Sequence, residues 1–329
     1  MMESISERIA RLKKEKDAVI LAHYYAPAEV QDMADCLGDS LGLSRTAAGT
    51  GAKTIIFAGV HFMSETAAIL CPGKTVLSPA PDAGCSLADS MDAAVLERWK
   101  AAHPDGIVVS YVNTTAAVKA WTDWCCTSAN AIKVVQSLPE GRPVLFGPDR
   151  NLGSHIMKAT GRKLELWEGV CTVHDVITPE MIRKAAEEYP DADILVHPEA
   201  ACSADGETLG MENVYFYSTA GMLRHVAGSS RGKFVIATET GTIHRLSIEN
   251  PGKTFIPPVQ GPRMRGNEES DHGEDTQVPG ARRGARGPGR GHPQEGHAPD
   301  TEDAGTGMTA RPCKAFRPGI RHTRPVCFK

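Results

Sequence analysis

Short apolar runs alternate with longer amphipathic stretches from the start of the chain to about residue 260. The runs are rich in Val, Ile, Phe and Tyr, which is typical of buried strands. They predict strands at residues 18–21, 54–58, 106–111, 143–146, 194–196, 215–217 and 234–237. Stretches with a helical period predict helices at residues 30–46, 91–103, 128–136 and 179–188. This alternation is typical of α/β units with a parallel sheet.

The first residues have the pattern of an amphipathic helix, with Ile5, Ile9, Ala10 and Leu12 on one face. They lack the basic start, apolar middle and small-residue cleavage site of a signal peptide. No apolar run approaches the roughly 18 residues that a membrane-spanning helix needs. We therefore expect a cytoplasmic protein with no membrane partner.

The character of the chain changes at about Gly261, and residues 261–329 are dense in Gly, Pro, Arg, Asp and Glu. Such a composition buries too little apolar surface to offset chain entropy, which predicts a disordered tail. The basic stretch at residues 281–291 resembles an RNA-binding arm. Acidic residues are interleaved through the tail, however, and the formal net charge of the chain is −4. We therefore expect no nucleic-acid partner.

A weak threefold repeat runs through the body of the chain. Each copy opens with an apolar strand that ends in polar residues, at 19–25, 106–113 and 193–199. A second strand then leads into a small or polar turn and a helix, at 55–67, 144–156 and 214–223. The first two copies close on cysteines that stand 86 residues apart, Cys85 and Cys171.

The repeat predicts three α/β units, and three such units around a pseudo-threefold axis would aim their strand ends at one central point. Their expected bounds are residues 1–86, 87–172 and 173–260, followed by the tail at 261–329. In open α/β units functional groups gather at the carboxyl ends of the strands. The polar side chains just past a predicted strand are His23, Tyr25, Tyr111, Asn113, His197 and Glu199.

The chain has nine cysteines, and without a secretory signal we expect no structural disulfides. A single cysteine is ordinarily a small buried hydrophobic residue, which is our interpretation of Cys126 and Cys202. The role of Cys125 stays open. Cys85 and Cys171 differ because they close equivalent repeats, and thiolates suit iron–sulfur clusters and zinc. No CxxC pair is present, which disfavours a finger-type zinc site.

A series of motifs resembles the quinolinate synthase family across about residues 15–260. The matching segments include QDMADCLGDSLGLSR (31–45), FAGVHFMSETAAIL (57–70), DAGCSLAD (82–89), YVNTTAAVKAWTD (111–123), LFGPDRNLG (145–153), WEGVCTVHD (167–175), VHPE (196–199) and ATETGTIHRL (237–246). Their order and spacing make the resemblance specific.

The resemblance implies three pseudo-symmetric, Rossmann-like three-layer α/β domains around a central active site. It also implies an enzyme of NAD biosynthesis. Such an enzyme condenses iminoaspartate with dihydroxyacetone phosphate to give quinolinate, phosphate and water. It implies one [4Fe–4S] cluster bound by three cysteines, one per domain, with the fourth iron open to substrate. It also implies a partner enzyme that supplies iminoaspartate, either L-aspartate oxidase or aspartate dehydrogenase.

The resemblance also implies roles for individual residues. The catalytic residues would be His23, Tyr25, Tyr111, His197 and Glu199. Substrate would contact His23, Tyr111, His197 and Glu199 and also Ser40, Val112, Asn113, Ser128, Pro198, Ser218 and Thr219. Without the resemblance, helix capping would be the better interpretation of the serines and threonine. Residues that could support the site or simply cap helices are Asp39, Glu65 and Glu239.

The sequence departs from the family where the third cysteine is expected. Eleven residues separate Lys74 from Cys85, and the same spacing from Lys253 leads to Met264. We therefore hypothesise a frameshift near residues 259–261. Read one nucleotide later, the ATG codon of Met264 followed by a CGN arginine codon contains TGC, a cysteine codon.

Two functions remain open for the chain as written. The first is the cluster enzyme, with Cys85 and Cys171 as metal ligands and the third ligand absent near Met264. The second is a cluster-deficient, inactive variant that only binds dicarboxylate or phosphate metabolites. The remaining thiol candidates for the third position, Cys313 and Cys327, lie in the tail.

Overall fold

The computed structural model describes residues 3–257 and 327–328. Helix α1 (Ile5–Glu15) comes first, as predicted, with a capping box between Ser4 and Glu7 at its start. The first sheet then follows, with elements β1 (Ala18–His23), α2 (Ala28–Met33), β2 (Cys36–Gly38), α3 (Ser40–Gly49), β3 (Thr54–Ala58), α4 (His61–Leu70) and β4 (Thr75–Leu77).

The second sheet and its helices follow directly. They are α5 (Ser86–Asp89), α6 (Ala93–Ala102), β5 (Ile107–Tyr111), α7 (Ala116–Lys119), β6 (Trp124–Cys126), α8 (Ala131–Gln136), β7 (Val144–Gly147), α9 (Arg150–Thr160) and β8 (Glu165–Leu166).

The third sheet and its helices complete the body of the chain. They are α10 (Pro179–Glu188), β9 (Asp193–Val196), a 3₁₀ turn (Ala201–Ala204), α11 (Gly206–Leu209), β10 (Val214–Phe216), α12 (Thr219–Gly228), β11 (Lys233–Ala237), α13 (Gly241–Glu249) and β12 (Thr254–Ile256). A last short strand is β13 (Cys327–Phe328).

All three sheets are parallel and share one strand order, which confirms the predicted fold class. The orders are β2-β1-β3-β4, β6-β5-β7-β8 and β10-β9-β11-β12, with β13 added beside β6. Parallel strands are covered by helices on both faces, so their side chains are buried on both. Every residue of β5, β7 and β9 is buried accordingly. The predicted domain bounds at 86/87 and 172/173 fall between the sheets.

The repeat extends to individual hydrogen bonds at the amino-terminal edge of each sheet. A cationic side chain shortly before the fourth strand donates to two backbone carbonyls near the end of an earlier helix. The pairs are Lys74 with Ala47 and Thr50, Arg162 with Leu138 and Pro139, and Lys253 with Val226 and Ser229. These bonds satisfy carbonyls that a helix end leaves without a partner.

The predicted helix at residues 30–46 is wrong, because strand β2 interrupts it and leaves α2 and α3. The Asp35 carboxylate accepts the Ile20 amide at 2.8 Å, and residues 36–38 then pair with β1. Pairing with a sheet edge thus overrides the local helical pattern. The predicted helix at 128–136 begins only at Ala131, whereas those at 91–103 and 179–188 are confirmed as α6 and α10.

The predictions of a disordered tail and of a missing ligand at Met264 lie outside the described residues, apart from the short strand β13. Within the part of the chain that the structure describes, none of the helices has both the length and the apolar character needed to cross a membrane.

Candidate active site

The carboxyl ends of the three sheets meet at one pocket. β1 ends at His23, β5 ends at Tyr111, and β9 is followed directly by His197. The pocket brings together most of the predicted site residues, namely His23, Tyr25, Ser40, Cys85, Tyr111, Asn113, Ser128, Cys171, His197, Glu199 and Thr219. Side chains from all three repeats therefore line one pocket.

Three predicted substrate contacts are not among the pocket-lining residues. Val112 is buried, and its amide donates to the carbonyl of Cys126 at 2.8 Å. Pro198 lies between two lining residues. Ser218 caps α12 by accepting the Gly221 amide at 3.3 Å, and its hydroxyl donates to Asp39 at 3.4 Å.

Helix capping accounts for the acidic residues that the sequence left open. Asp39 caps α3 by accepting the Gly42 amide at 2.9 Å, and it also lines the pocket. Glu65 accepts the first amide of α7, that of Ala116, at 3.0 Å. Glu239 accepts the Gly241 amide at 2.6 Å at the start of α13.

Two buried histidines occupy equivalent positions at the carboxyl ends of β1 and β9. His23 Nδ1 accepts the amide of Tyr25 at 3.2 Å, and His197 Nδ1 accepts the amide of Glu199 at 3.4 Å. This pattern assigns the remaining proton of each neutral ring to Nε2. Burial lowers the pKa of His23 to about 4 and that of His197 to about 3. Both rings are therefore neutral donors near pH 7.

Glu199 is the acceptor at the centre of the site. It is 2% exposed, and it accepts the Tyr111 hydroxyl on Oε1 and His174 Nδ1 on Oε2, the latter at 3.0 Å. Burial by itself raises the pKa of Glu199. The charge that His197 and His174 carry when protonated, with the hydrogen bonds from His174 and Tyr111, outweighs burial and lowers that pKa below the ordinary value of a carboxyl group.

A continuous chain of hydrogen bonds extends from Glu199 to Tyr25. His174 Nε2 lies 2.8 Å from the Thr238 hydroxyl, and that hydroxyl lies 2.7 Å from the Tyr25 hydroxyl. The Thr219 hydroxyl donates to Tyr25 at 3.0 Å. If every donor points toward Glu199, each group in this chain has a partner, and a proton has a path between the Tyr25 phenol and the carboxylate.

The two tyrosines of this network remain protonated. Burial, followed by the charge of Glu199, raises the pKa of both Tyr25 and Tyr111 above the ordinary phenol value. Each phenol is therefore a hydrogen-bond donor at neutral pH. His174 and Thr238 were not predicted as site residues, although His174 stands three residues after Cys171 in a quoted motif.

The two predicted cysteine ligands share the pocket. The residues that follow them in sequence, Ser86 and Thr172, touch through their hydroxyls at 3.4 Å. Burial raises the pKa of the Cys85 thiol to about 11 and that of Cys171 well above its usual value. The other five cysteines of residues 3–257 lie outside the pocket lining, so the described residues offer a cluster two thiols where three are expected.

One group of side chains is close enough to bind a metal ion. Donor atoms of Cys171, His174 and Glu199 all lie within 4.8 Å of one another. His174 Nδ1 is 3.2 Å from the sulfur of Cys171. The soft thiol of Cys171 therefore lies directly beside the proton relay.

Comparison with known proteins supports a family assignment. The family model described as "Quinolinate synthetase A protein" matches residues 7–271. A quinolinate synthase of Thermus thermophilus is 52% identical over 255 residues, which cover 78% of this chain and 82% of the relative. One from Pyrobaculum aerophilum is 50% identical over 260 residues, covering 78% and 84%. One from Trichodesmium erythraeum is 50% identical over 255 residues, covering 78% and 77%.

The family model covers most of the chain and includes strands β1 to β12 and the pocket residues between the three sheets. The chain therefore belongs to the quinolinate synthetase A family.

Proposed function

We propose that this chain has the fold and the acid–base residues of an enzyme that condenses iminoaspartate with dihydroxyacetone phosphate to quinolinate, phosphate and water. The observation that carries the proposal is the buried relay from Tyr25 through Thr238 and His174 to Glu199. The reaction requires proton transfers for enolisation, imine formation and loss of water. The relay supplies donors and an acceptor for them in a site shielded from water.

Substrate binding would use groups that lack a protein partner or can turn toward an anion. Asn113 Oδ1 is buried and accepts no hydrogen bond within the described residues, so a substrate N–H or O–H would satisfy it. The neutral donors His23 and His197 and the hydroxyls of Ser40 and Ser128 suit carboxylate or phosphate oxygens.

In our proposal His174 Nε2 accepts the proton that the relay delivers, and the ionised Glu199 stabilises the imidazolium that forms. The raised pKa values of Tyr25 and Tyr111 keep both phenols protonated, and each would turn its single O–H from Thr238 or Glu199 toward negative charge that develops on the substrate. Thr238 connects Tyr25 to His174 and fixes the ring orientation.

Cys85 and Cys171 would hold two corners of the [4Fe–4S] cluster that the resemblance implies. When bound, an iron with an open coordination position supplies a Lewis acid for a substrate hydroxyl or carboxylate. The third thiolate would come from the reading frame proposed at Met264, in the gene product without the frameshift. An aspartate-oxidising enzyme, either L-aspartate oxidase or aspartate dehydrogenase, would supply iminoaspartate.

The test begins with the coding DNA around residues 259–264. We expect a cysteine codon in the next frame, and its absence from both neighbouring frames would sink the frameshift hypothesis. The chain as written and a frame-restored chain are then purified without oxygen and analysed for iron and sulfide. We expect about four irons per frame-restored chain, quinolinate formation, and a much lower iron content in the chain as written.

Matched cysteine variants sharpen this test. Cys85→Ser removes a pocket thiol, whereas Cys36→Ser removes another half-buried free thiol outside the pocket lining. In the frame-restored chain we expect only Cys85→Ser to lower iron content and activity. Equal iron in both variants would contradict the assignment of Cys85.

One observation favours the second function for the chain as written, since residues 3–257 place only two thiols in the pocket. This form would bind dicarboxylates without turning them over. A colourless protein that binds quinolinate in calorimetry and makes none would support it. Stoichiometric iron and turnover in the chain as written would exclude it.

A further inference from the structure

Two buried polar side chains beside the pocket have no role in the proposed chemistry. Gln31 is 2% exposed and lies on α2, and Lys119 is 1% exposed and ends α7. Each of these short helices follows the first strand of its sheet, directly after a loop that contributes residues to the pocket. The two side chains therefore occupy comparable places in the first and second repeats.

Their hydrogen bonds follow one pattern. Gln31 Nε2 donates to the carbonyls of Tyr24 and Ala26, at 2.9 and 2.8 Å. Lys119 Nζ donates to the carbonyls of Val112, at 2.9 Å, and Thr114. In both repeats the acceptors stand seven and five residues before the donor. The residue between the two acceptors is a pocket residue in each case, Tyr25 in the first repeat and Asn113 in the second.

Each donor also contacts the neighbouring repeat. Gln31 Nε2 lies 3.0 Å from the carbonyl of Gly241, which begins α13 in the third repeat. A Cβ atom added at Gly241 would lie 3.1 Å from the Tyr25 backbone, so the two segments are already in close contact. Lys119 Nζ lies 5.6 Å from the ring centroid of Phe62, a pocket residue of the first repeat.

The arrangement costs stability. Lys119 is a buried cation whose hydrogen-bond partners are carbonyls and not a carboxylate, and burial lowers its pKa to about 8. Gln31 keeps its Oε1 atom buried without a hydrogen bond within the described residues. All the hydrogen-bond partners of Gln31 Nε2 are carbonyl oxygens. Swapping the Nε2 and Oε1 positions of the side-chain amide would therefore place an acceptor against acceptors and lose every hydrogen bond. A packed apolar residue would avoid both penalties.

The third repeat holds its loop in a different way. The position seven residues after Pro198 is Asp205, which caps α11 by accepting the Thr208 amide at 2.8 Å. The loop is instead held by Asn151, whose Nδ2 donates to the carbonyl of Glu199 at 3.1 Å. A buried side-chain N–H therefore secures each of the three pocket loops.

We propose that Gln31 and Lys119 are equivalent positioning residues, which clamp the loops that carry Tyr25 and Asn113 and connect them to the neighbouring repeats. The consequence for ligand binding rests on the proposed function, whereas the consequence for loop order does not. Lys119 is the better one to test, because glutamine is the residue that fills its place in the first repeat.

The experiment compares amide hydrogen exchange in the full-length chain and three variants. Lys119→Met removes the ammonium donor. Lys119→Gln replaces it with an amide donor of the kind that Gln31 supplies in the first repeat. Lys74→Met is the matched control, since Lys74 also donates to two carbonyls but lies at the amino-terminal edge, far from the pocket. Exchange at residues 112–116 is normalised to the core amides of β5, so that loss of global stability cancels.

We expect about tenfold faster normalised exchange at residues 112–116 in Lys119→Met, corresponding to one lost charge-assisted hydrogen-bond pair. Lys119→Gln should lie closer to the native chain, and Lys74→Met should match it. The clamp is overturned if exchange in Lys119→Met is no faster than in Lys74→Met, or if Lys119→Gln behaves like Lys119→Met.

Calorimetry with quinolinate provides the second measurement. Lys119→Met should raise the Kd for quinolinate about tenfold, because Asn113 is no longer held, while Lys74→Met leaves the Kd unchanged. An unchanged Kd in Lys119→Met would contradict a positioning role. If the native chain itself binds no quinolinate, the proposed function fails, and the exchange data still decide the clamp.

Discussion

The two edges of the sheets use polar residues in opposite ways. At the amino-terminal edge, polar side chains pair with one another or with free backbone groups. Asp35, for example, accepts the Ile20 amide and pairs with Lys13, while Asp123 accepts the Val108 amide and pairs with Lys100. These pairs are partly exposed and repeat from one sheet to the next, so they complete the fold.

At the carboxyl edge, ionisable side chains are buried together with strongly shifted pKa values. His23 and His197 are held neutral, Glu199 is held ionised, and the phenols of Tyr25 and Tyr111 are held protonated. Burial of this kind costs stability and is typical of functional sites. One sheet architecture thus carries structural polar groups at one edge and reactive ones at the other.

The largest expected effect comes from removing the central carboxylate at the reactive edge. Glu199→Gln keeps the volume but removes the charge that accepts from Tyr111 and His174. We expect quinolinate formation by the frame-restored, cluster-loaded enzyme to fall about 10²–10⁴-fold. The control is Glu168→Gln, which changes an exposed carboxylate paired with Arg150 and should retain the native rate. Equal rates in the two variants would remove Glu199 from the chemistry.

The next effect is a dependence of stability on pH that arises from the buried histidines of the reactive edge. The folded-state pKa values of His23 and His197 lie near 4 and 3, below the ordinary value of 6.5. As pH falls from about 6.5 to 4, the unfolded chain takes up protons that the folded chain does not, so the free energy of unfolding falls. Because the pKa of Glu199 is lowered in the folded state, its ionised form contributes stability above about pH 4.5. This contribution is lost as the pH falls below that value.

Urea unfolding of the native chain and of His197→Gln across this pH range measures the effect. We expect a shallower decline between pH 6.5 and 4 in the variant, because one buried group no longer titrates on unfolding. Parallel curves would show that His197 is charged in the folded state, contrary to its low pKa.

A smaller effect is expected at the structural edge. Lys253→Met leaves the carbonyls of Val226 and Ser229 without their donor. We expect a loss of about 1–3 kcal/mol in the free energy of unfolding, with an unchanged Kd for quinolinate. A changed Kd for quinolinate with an unchanged free energy of unfolding would show that Lys253 acts on the pocket and not on the stability of the fold.

The smallest effect is expected for exposed ion pairs away from both edges. Glu207→Gln breaks the pair with Arg183 at 2.9 Å, in which the Glu207 side chain is 68% exposed. We expect a change within about 0.5 kcal/mol in the free energy of unfolding, because such pairs are screened by water and salt. A loss as large as that of Lys253→Met would show that these surface charges act as a network.

Much of the fold follows from local patterns along the chain. Apolar strands such as residues 106–111 and 234–237 are recognisable because burial on both faces demands continuous apolar side chains. The short edge strands are not, since three residues such as Cys36–Gly38 carry no period of their own. The conformation of Cys36–Gly38 comes from its pairing with β1, and the local sequence preference of three residues does not predict that pairing.

The sequence by itself determined the three repeats, the parallel α/β architecture, and the positions at the carboxyl ends of β1, β5 and β9 where His23, Tyr111 and His197 stand. It also singled out Cys85 and Cys171, because they close equivalent segments. Strand-end positions are readable because they depend only on where an apolar run stops.

Only the tertiary structure decided how these residues cooperate. The hydrogen bond from Tyr25 to Thr238 joins positions 213 residues apart, and that from Tyr111 to Glu199 joins positions 88 apart. No periodicity in the sequence encodes such contacts. The roles of His174, Thr238 and Lys119 are therefore recognisable only in the tertiary structure, where the three sheet edges converge. Burial where the edges converge then lowers the pKa values of His23, His197 and Lys119, because these side chains lose water only once the interior has assembled.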